Sequence, residues 1–165
     1  MNDSELKKVE MYTDGGCISN PGGNGGYGIV LLYKNHRKEL SGGYRNTTNN
    51  RMELMAAIKG LESFKEKCDI SICSDLVDAI EQRWIVKWIN KGWMRTKTEE
   101  VKNVDLWKRL WVLIQKHKVE FIWVPGHSGN KENERCDQLA TDAMSLPDLE
   151  EDLRETALSQ IGLEF

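Results

Sequence analysis

Over residues 8–14 (Lys-Val-Glu-Met-Tyr-Thr-Asp) the side chains follow the pattern of a strand, and Gly15-Gly16 followed by Ser19-Asn20-Pro21-Gly22 is dense turn chemistry. Two more strands are predicted near 27–33 and 39–44. From about Asn50 to Lys67, Leu54, Ile58 and Leu61 recur at helical spacing with Met55 alongside, which predicts a helix with one buried stripe. A short strand over 70–74 and a helix over 76–89 follow. Next comes a helix over 104–116, in which Leu106, Leu110 and Leu113 face inward. A strand over 119–124, a loop over 125–129 and a helix over 131–144 complete the order. Three strands joined by turns, then two alternating with helices, predict an α/β fold: a mixed five-stranded sheet with helices on both faces. After Leu146 the chain is polar and is expected to be loose.

Composition fits this plan. A chain of 165 residues, 39% hydrophobic, can bury one substantial core, so a single domain over 1–165 with its core at about 9–146 is expected. No apolar run reaches membrane-spanning length and the first residues carry no apolar stretch resembling a secretory signal, so no membrane association and a cytoplasmic location are expected. Cys17, Cys68, Cys73 and Cys136 form no CxxC pair and read as reduced. The net charge of −3 hides a strong asymmetry: from Arg83 to Lys118 ten Lys and Arg stand against three acids, while acid is concentrated in the tail Asp148–Asp152. A basic segment beside an acidic centre suits a polyanion held by one and cut at the other; a solvated helical face is the alternative.

The acidic centre consists of Asp14 in Tyr-Thr-Asp-Gly-Gly, Glu53 in Asn-Asn-Arg-Met-Glu-Leu, Asp75 in Cys-Ser-Asp and Asp137 in Glu-Asn-Glu-Arg-Cys-Asp. Each falls at the end of a strand-like run or on a helix-like run, where folding can bring distant carboxylates together. Four carboxylates in one place need a cation. With no Cys or His ligand set nearby, that cation is hard and oxygen-loving, Mg2+ or Mn2+, and the chemistry such clusters support is phosphoryl transfer.

Two further patterns have competing readings. Gly23-x-Gly25-x-x-Gly28 matches a dinucleotide-binding string, but a strand rather than a helix follows it, so these glycines read as a flexible hairpin entry. His127 lies on a Gly-flanked loop just before the helix carrying Asp137, a setting that suits proton transfer or product release. His36 and His117 have no such context and read as structural or exposed.

The strings Thr13-Asp14-Gly15, Thr47-Thr48-Asn49-Asn50-Arg51-Met52-Glu53-Leu54, Gly126-His127 and Glu132-Asn133-Glu134-Arg135-Cys136-Asp137, in this order, resemble those of the bacterial type 1 ribonucleases H, from about Val9 to Leu146. The resemblance implies the ribonuclease H-like fold and an RNA/DNA hybrid as substrate, bound by a monomer; with so few residues before the first strand, the family's separate N-terminal hybrid-binding domain is expected to be absent. It further implies endonucleolytic hydrolysis of the RNA strand by two-metal-ion catalysis, leaving 5′-phosphate and 3′-hydroxyl ends. Asp14, Glu53, Asp75 and Asp137 match the family's metal-binding carboxylates, and His127 matches its mobile histidine. Asn20, Asn49, Asn50 and the backbone around Cys17 match positions lining the hybrid's minor groove, where an amide can both donate to and accept from a 2′-hydroxyl. Thr48 matches a contact to a DNA phosphate. Helix capping is the alternative for the asparagines. Lys87, Trp88, Lys91, Trp93 and Arg95 match the family's basic protrusion, which holds the DNA strand; for the tryptophans, Trp84 above all, packing on one another is the alternative.

One departure stands out. Where the family reads Asp-Ser-x-Tyr, Asp75 runs directly into Leu76-Val77-Asp78, about three residues short. Asp75 is expected to stay with the other carboxylates while the helix shortens; the alternative is that the junction pulls Asp75 away and Asp78, one turn on, takes its place. A catalytically impaired hybrid-binding module and another nuclease of the same fold are the alternative functions.

Overall fold

The structure is a computed structural model that describes residues 5–74, 84–124 and 129–154. Among these residues lie β1 (Lys8–Cys17), β2 (Gly25–Tyr33), β3 (His36–Arg45), α1 (Asn49–Glu62), β4 (Asp69–Ser74), α2 (Trp84–Asn90), α3 (Val104–Gln115), β5 (Lys118–Trp123), α4 (Lys131–Met144) and β6 (Glu150–Glu151). The strands form one mixed sheet in the order β5-β4-β1-β2-β3-β6. β1, β2 and β3 are antiparallel neighbours, whereas β4 runs parallel to β1, β5 to β4, and β6 to β3. The α/β class and the mixed sheet agree with expectation; the sheet has six strands rather than five.

Adjacent β1 residues show how the two faces are covered. A Cβ added to Gly15 would lie 2.3 Å from the Met52 carbonyl carbon of α1, and one added to Gly16 would lie 3.2 Å from the Met144 side chain of α4. Successive strand residues point to opposite faces, so α1 and α4 lie on opposite sides of the sheet. On the α1 side, Met11, Ile29, Ile70 and Ile72 from the sheet join Leu54, Ile58, Leu61 and Leu110 in one fully buried cluster. Each such side chain contributes about 1.5–3 kcal/mol by leaving water. Leu106, Leu110 and Leu113 of α3 are buried as their spacing predicts. The α4 side is lined by small groups, Cys136, Ala140 and Ala143, all buried. The Cys136 thiol donates to the Tyr12 carbonyl at 3.2 Å, and burial pushes its pKa up to about 12.

Two expectations need correction. Gly25, Gly26 and Gly28 do not form a flexible entry; they lie within β2, paired to β1 and β3. A Cβ on Gly26 would sit 2.2 Å from the Ala140 carbonyl oxygen, and one on Gly28 equally close to that of Cys136. These positions are bare because the α4 backbone lies directly on them. The second correction concerns the tail after Leu146, whose described part, up to Arg154, is built into the domain. Glu150 and Glu151 pair with Tyr44 and Arg45. Asp152, 4% exposed, accepts from Thr47 Oγ1 at 2.7 Å and from Arg51 Nε at 2.7 Å. Arg51 also forms a two-pronged pair with Asp105 at 2.9 and 2.8 Å. Burial opposes the charge on Arg51, but the two carboxylates outweigh it and hold its pKa above the ordinary arginine value. Removing one partner from such a buried pair costs about 3–5 kcal/mol. Among the described residues no helix is long and apolar enough to cross a membrane.

Candidate active site

The glycine contacts that set the fold also build the site. Asp14 stands opposite Gly28 in the β1–β2 register. Gly28 abuts Cys136, whose neighbour in α4 is Asp137, and a Cβ on Gly15 would lie 2.6 Å from the Glu53 amide nitrogen in α1. Two missing side chains therefore let two helices close on the end of β1, each bringing one carboxylate. The result is a cleft of about 280 Å³ lined by Asp14, Glu53, Asp137, Glu134, Asn49 and Asn133. The Gly15 amide donates to Asp14 Oδ1 at 2.9 Å, which restricts that carboxylate's orientation.

Three of the four predicted carboxylates thus share one cleft although they come from three separate elements. Asp75, which follows the last described residue of β4, lies outside the described residues, as do Asp78 and His127. Among the described residues no three His, Cys, Asp or Glu side chains form a ready-made ion cage. The donors that line the cleft are nevertheless carboxylate and amide oxygens, the set a hard divalent cation requires. Glu134 and Asn133 were not singled out from sequence. Their spacing of three and four residues before Asp137 places them on the same helical face, a signal that was present in the string Asn-Glu-Arg-Cys-Asp.

The polar rim has mixed duties. Thr48 is the N-cap of α1, its hydroxyl accepting from the Arg51 amide at 3.2 Å. Asn20 Oδ1 accepts from the Asn49 amide at 3.2 Å and ties the β1–β2 loop to the start of α1. Asn49 and the exposed Asn50 are the first helical residues, so capping accounts for Asn20 but not for them. The Cys17 thiol sits among the carbonyls of Ser19, Gly23 and Thr47 at 3.2–3.5 Å and knits this loop together.

Lys87, Lys91 and Arg95 are exposed on and after α2, Arg95 in an ion pair with Glu99. Trp88 meets Trp107 edge-on with ring centres 5.2 Å apart, and both Trp88 and Trp93 pack against the core. For these two rings packing is therefore part of the role, while the cations face solvent. Away from the cleft, His117 Nδ1 accepts from the Cys68 amide at 3.1 Å and burial lowers its pKa. His36 stacks on Tyr33.

A mixed sheet that gathers acidic side chains from a central strand and from helices on its two faces defines a class of α/β domains with an oxygen-lined site. Comparison with known proteins narrows this class. The RNase H family model matches residues 6–145. A curated ribonuclease H of Desulforamulus reducens is 56% identical over 155 residues, spanning 92% of this chain and 97% of the relative. A ribonuclease H of Rippkaea orientalis is likewise 56% identical over 155 residues, 92% of this chain and 94% of the relative. Among solved structures, LC9-RNase H1, described as a type 1 RNase H with the type 2 active-site motif, superposes with a TM-score of 0.77 at 27% identity, covering 87% of this chain and 74% of that one. The chain belongs to the ribonuclease H family.

Proposed function

We propose that this chain is an endonuclease that hydrolyses the RNA strand of RNA/DNA hybrids with Mg2+, or Mn2+ in its place, leaving 5′-phosphate and 3′-hydroxyl ends. The observation that carries this reading is the convergence of Asp14, Glu53 and Asp137 on one oxygen-lined cleft in a member of the ribonuclease H family. Such a cleft repels a phosphodiester on its own. When bound, divalent cations supply the missing positive charge and stabilise the attacking and leaving oxygens of an in-line displacement. Asp14, Glu53 and Asp137, with Asp75 as the fourth member, would hold them, and His127 would serve proton transfer or product release.

The rim supplies recognition. Asn49 lines the cleft and offers an amide that both donates to and accepts from a 2′-hydroxyl, the group that separates RNA from DNA. Asn20 keeps its amide protons for the same groove, and Asn50 is exposed beside it. Thr48 accepts from the Arg51 amide and so keeps its own proton to donate to a DNA phosphate. Lys87 and Lys91, one helical turn apart, and Arg95 meet the DNA strand as charges.

Asp14→Asn and Glu53→Gln test the assignment, because an amide keeps the shape but removes the charge a hard cation needs. Turnover should fall by roughly 10²–10³-fold or more, while hybrid binding in chelator stays within about threefold. Substitutions that weaken binding and leave turnover intact would place catalysis elsewhere.

A further inference from the structure

We propose that Asp152, acting through Arg51 with Asp105, is a positioning residue that fixes the α1 N-terminus against the root of the basic protrusion, so that the groove-reading and DNA-gripping parts of the surface engage one hybrid together. This inference rests on the hybrid-binding reading above.

Arg51 lies two residues after Asn49 and two before Glu53, a spacing that turns its side chain away from the cleft-facing side of α1. Its guanidinium is 1% exposed. It meets three residues in two separate segments. Nε and Nη2 donate to the two Asp152 oxygens at 2.7 and 3.1 Å. Nη1 and Nη2 donate to Asp105 at 2.9 and 2.8 Å, and Nη1 also reaches Asn103 Oδ1 at 3.3 Å.

Each partner leads to a surface the proposed function uses. Asp152 also accepts from Thr47 Oγ1 at 2.7 Å, and its amide donates to the Arg45 carbonyl at 3.1 Å. Asn46 bonds Glu151, and Arg154 donates to the Asn46 carbonyl at 3.2 Å. The tail therefore grips the whole turn that presents Thr48 and Asn49. Asn103 and Asp105 begin α3, directly after Val101, whose amide donates to the Trp93 carbonyl at 2.9 Å. Trp107, one turn further along α3, carries Trp88 of the protrusion. Apolar side chains of equal volume would stabilise such an interior as well. What a guanidinium clamped by two carboxylates adds is a fixed orientation between the segments that supply them.

The test is hybrid affinity in chelator, which needs neither metal nor turnover, measured for the parent, Asp152→Asn, Lys87→Ala/Lys91→Ala and their combination. Asp152→Asn should weaken binding about fivefold, and the lysine substitutions should cost less in that background than in the parent, the signature of coupled sites. A purely stabilising Asp152 would lower only the folded fraction, leaving affinity per folded molecule at the parent value and the lysine effects additive. That result would overturn the inference. Leu153→Ala, at a position 81% exposed, should bind as the parent does. If Asp152→Asn fails to fold, Thr47→Val removes only the 2.7 Å hydroxyl contact and enters the same cycle. A parent that binds no hybrid would instead overturn the proposed function itself.

Discussion

Gly28→Ala isolates the packing that brings Asp137 to Asp14. The new Cβ would lie 2.2 Å from the Cys136 carbonyl oxygen, 3.0 Å from the Cys136 carbonyl carbon and 2.8 Å from Leu139 Cβ. Two of these three are helix backbone, which cannot rotate aside. Restoring ordinary contact requires α4 to retreat by about 1 Å, since interiors are packed too tightly to absorb the overlap. Overpacking of this kind costs about 1–3 kcal/mol of stability. The functional effect is larger, because Asp137 is the next residue along the displaced helix and a 1 Å misplacement at a reacting centre costs up to about 10²-fold. Turnover per folded molecule should therefore drop roughly 10- to 100-fold, read as kcat on saturating hybrid well below the unfolding temperature, with near-ultraviolet circular dichroism reporting the folded fraction. Gly60→Ala is the matched control: its Cβ would lie 2.3 Å from Met11 Sδ, a flexible side chain on the α1 face that can turn away. Folded Gly28→Ala enzyme with the parent's kcat would refute the claim that flush packing of α4 on bare strand positions sets the carboxylate spacing.

Arg135 and Arg37 hold the Glu39 carboxyl at about 2, against an ordinary value of 4.5. Because the folded value is the lower one, the stabilisation is complete above pH 4.5 and is lost as pH falls toward 2. Denaturant unfolding of the parent and Glu39→Gln should show a gap that closes over that window, and a gap independent of pH would contradict the ion-pair account. Replacing Lys87, Lys91 and Arg95 together with Ala should weaken hybrid binding and flatten its dependence on log salt by about one unit per lost phosphate contact, with little change in turnover at saturation; an unchanged slope would put the DNA-binding surface elsewhere. Asp75→Asn should be nearly inactive and Asp78→Asn close to the parent in Mg2+-dependent cleavage, and the reverse order would make Asp78 the fourth carboxylate.

Elements with a strong apolar period were readable from sequence. α4 spans Lys131–Met144 as expected, and α3 begins at the predicted Val104. α1 ends at Glu62 rather than near Lys67, because Ser63 Oγ donates to the Gly60 carbonyl at 2.6 Å and competes with the next helical turn. β6 left no trace in the pattern: two glutamates have no period, and what holds them is pairing with β3 beside Asp152, whose side chain reaches back about a hundred residues to Thr47 and Arg51. The glycines of β2 were misread for a related reason. A glycine needed for a turn and one needed for close approach look identical until the approaching helix is in place. The convergence of Asp14, Glu53 and Asp137 was legible through their motifs, whereas the contacts that bring them together, Gly28 beneath Cys136 and Gly15 against Glu53, exist only in the folded chain.

The most direct test of the central claim is incubation with Mg2+ of an RNA/DNA hybrid labelled separately on each strand, beside duplex RNA, duplex DNA and single-stranded controls, with and without excess EDTA. The account predicts cleavage of the RNA strand of the hybrid alone, with 5′-phosphate and 3′-hydroxyl ends, and none in EDTA. Equal cleavage in EDTA, or comparable cutting of duplex DNA, would contradict it.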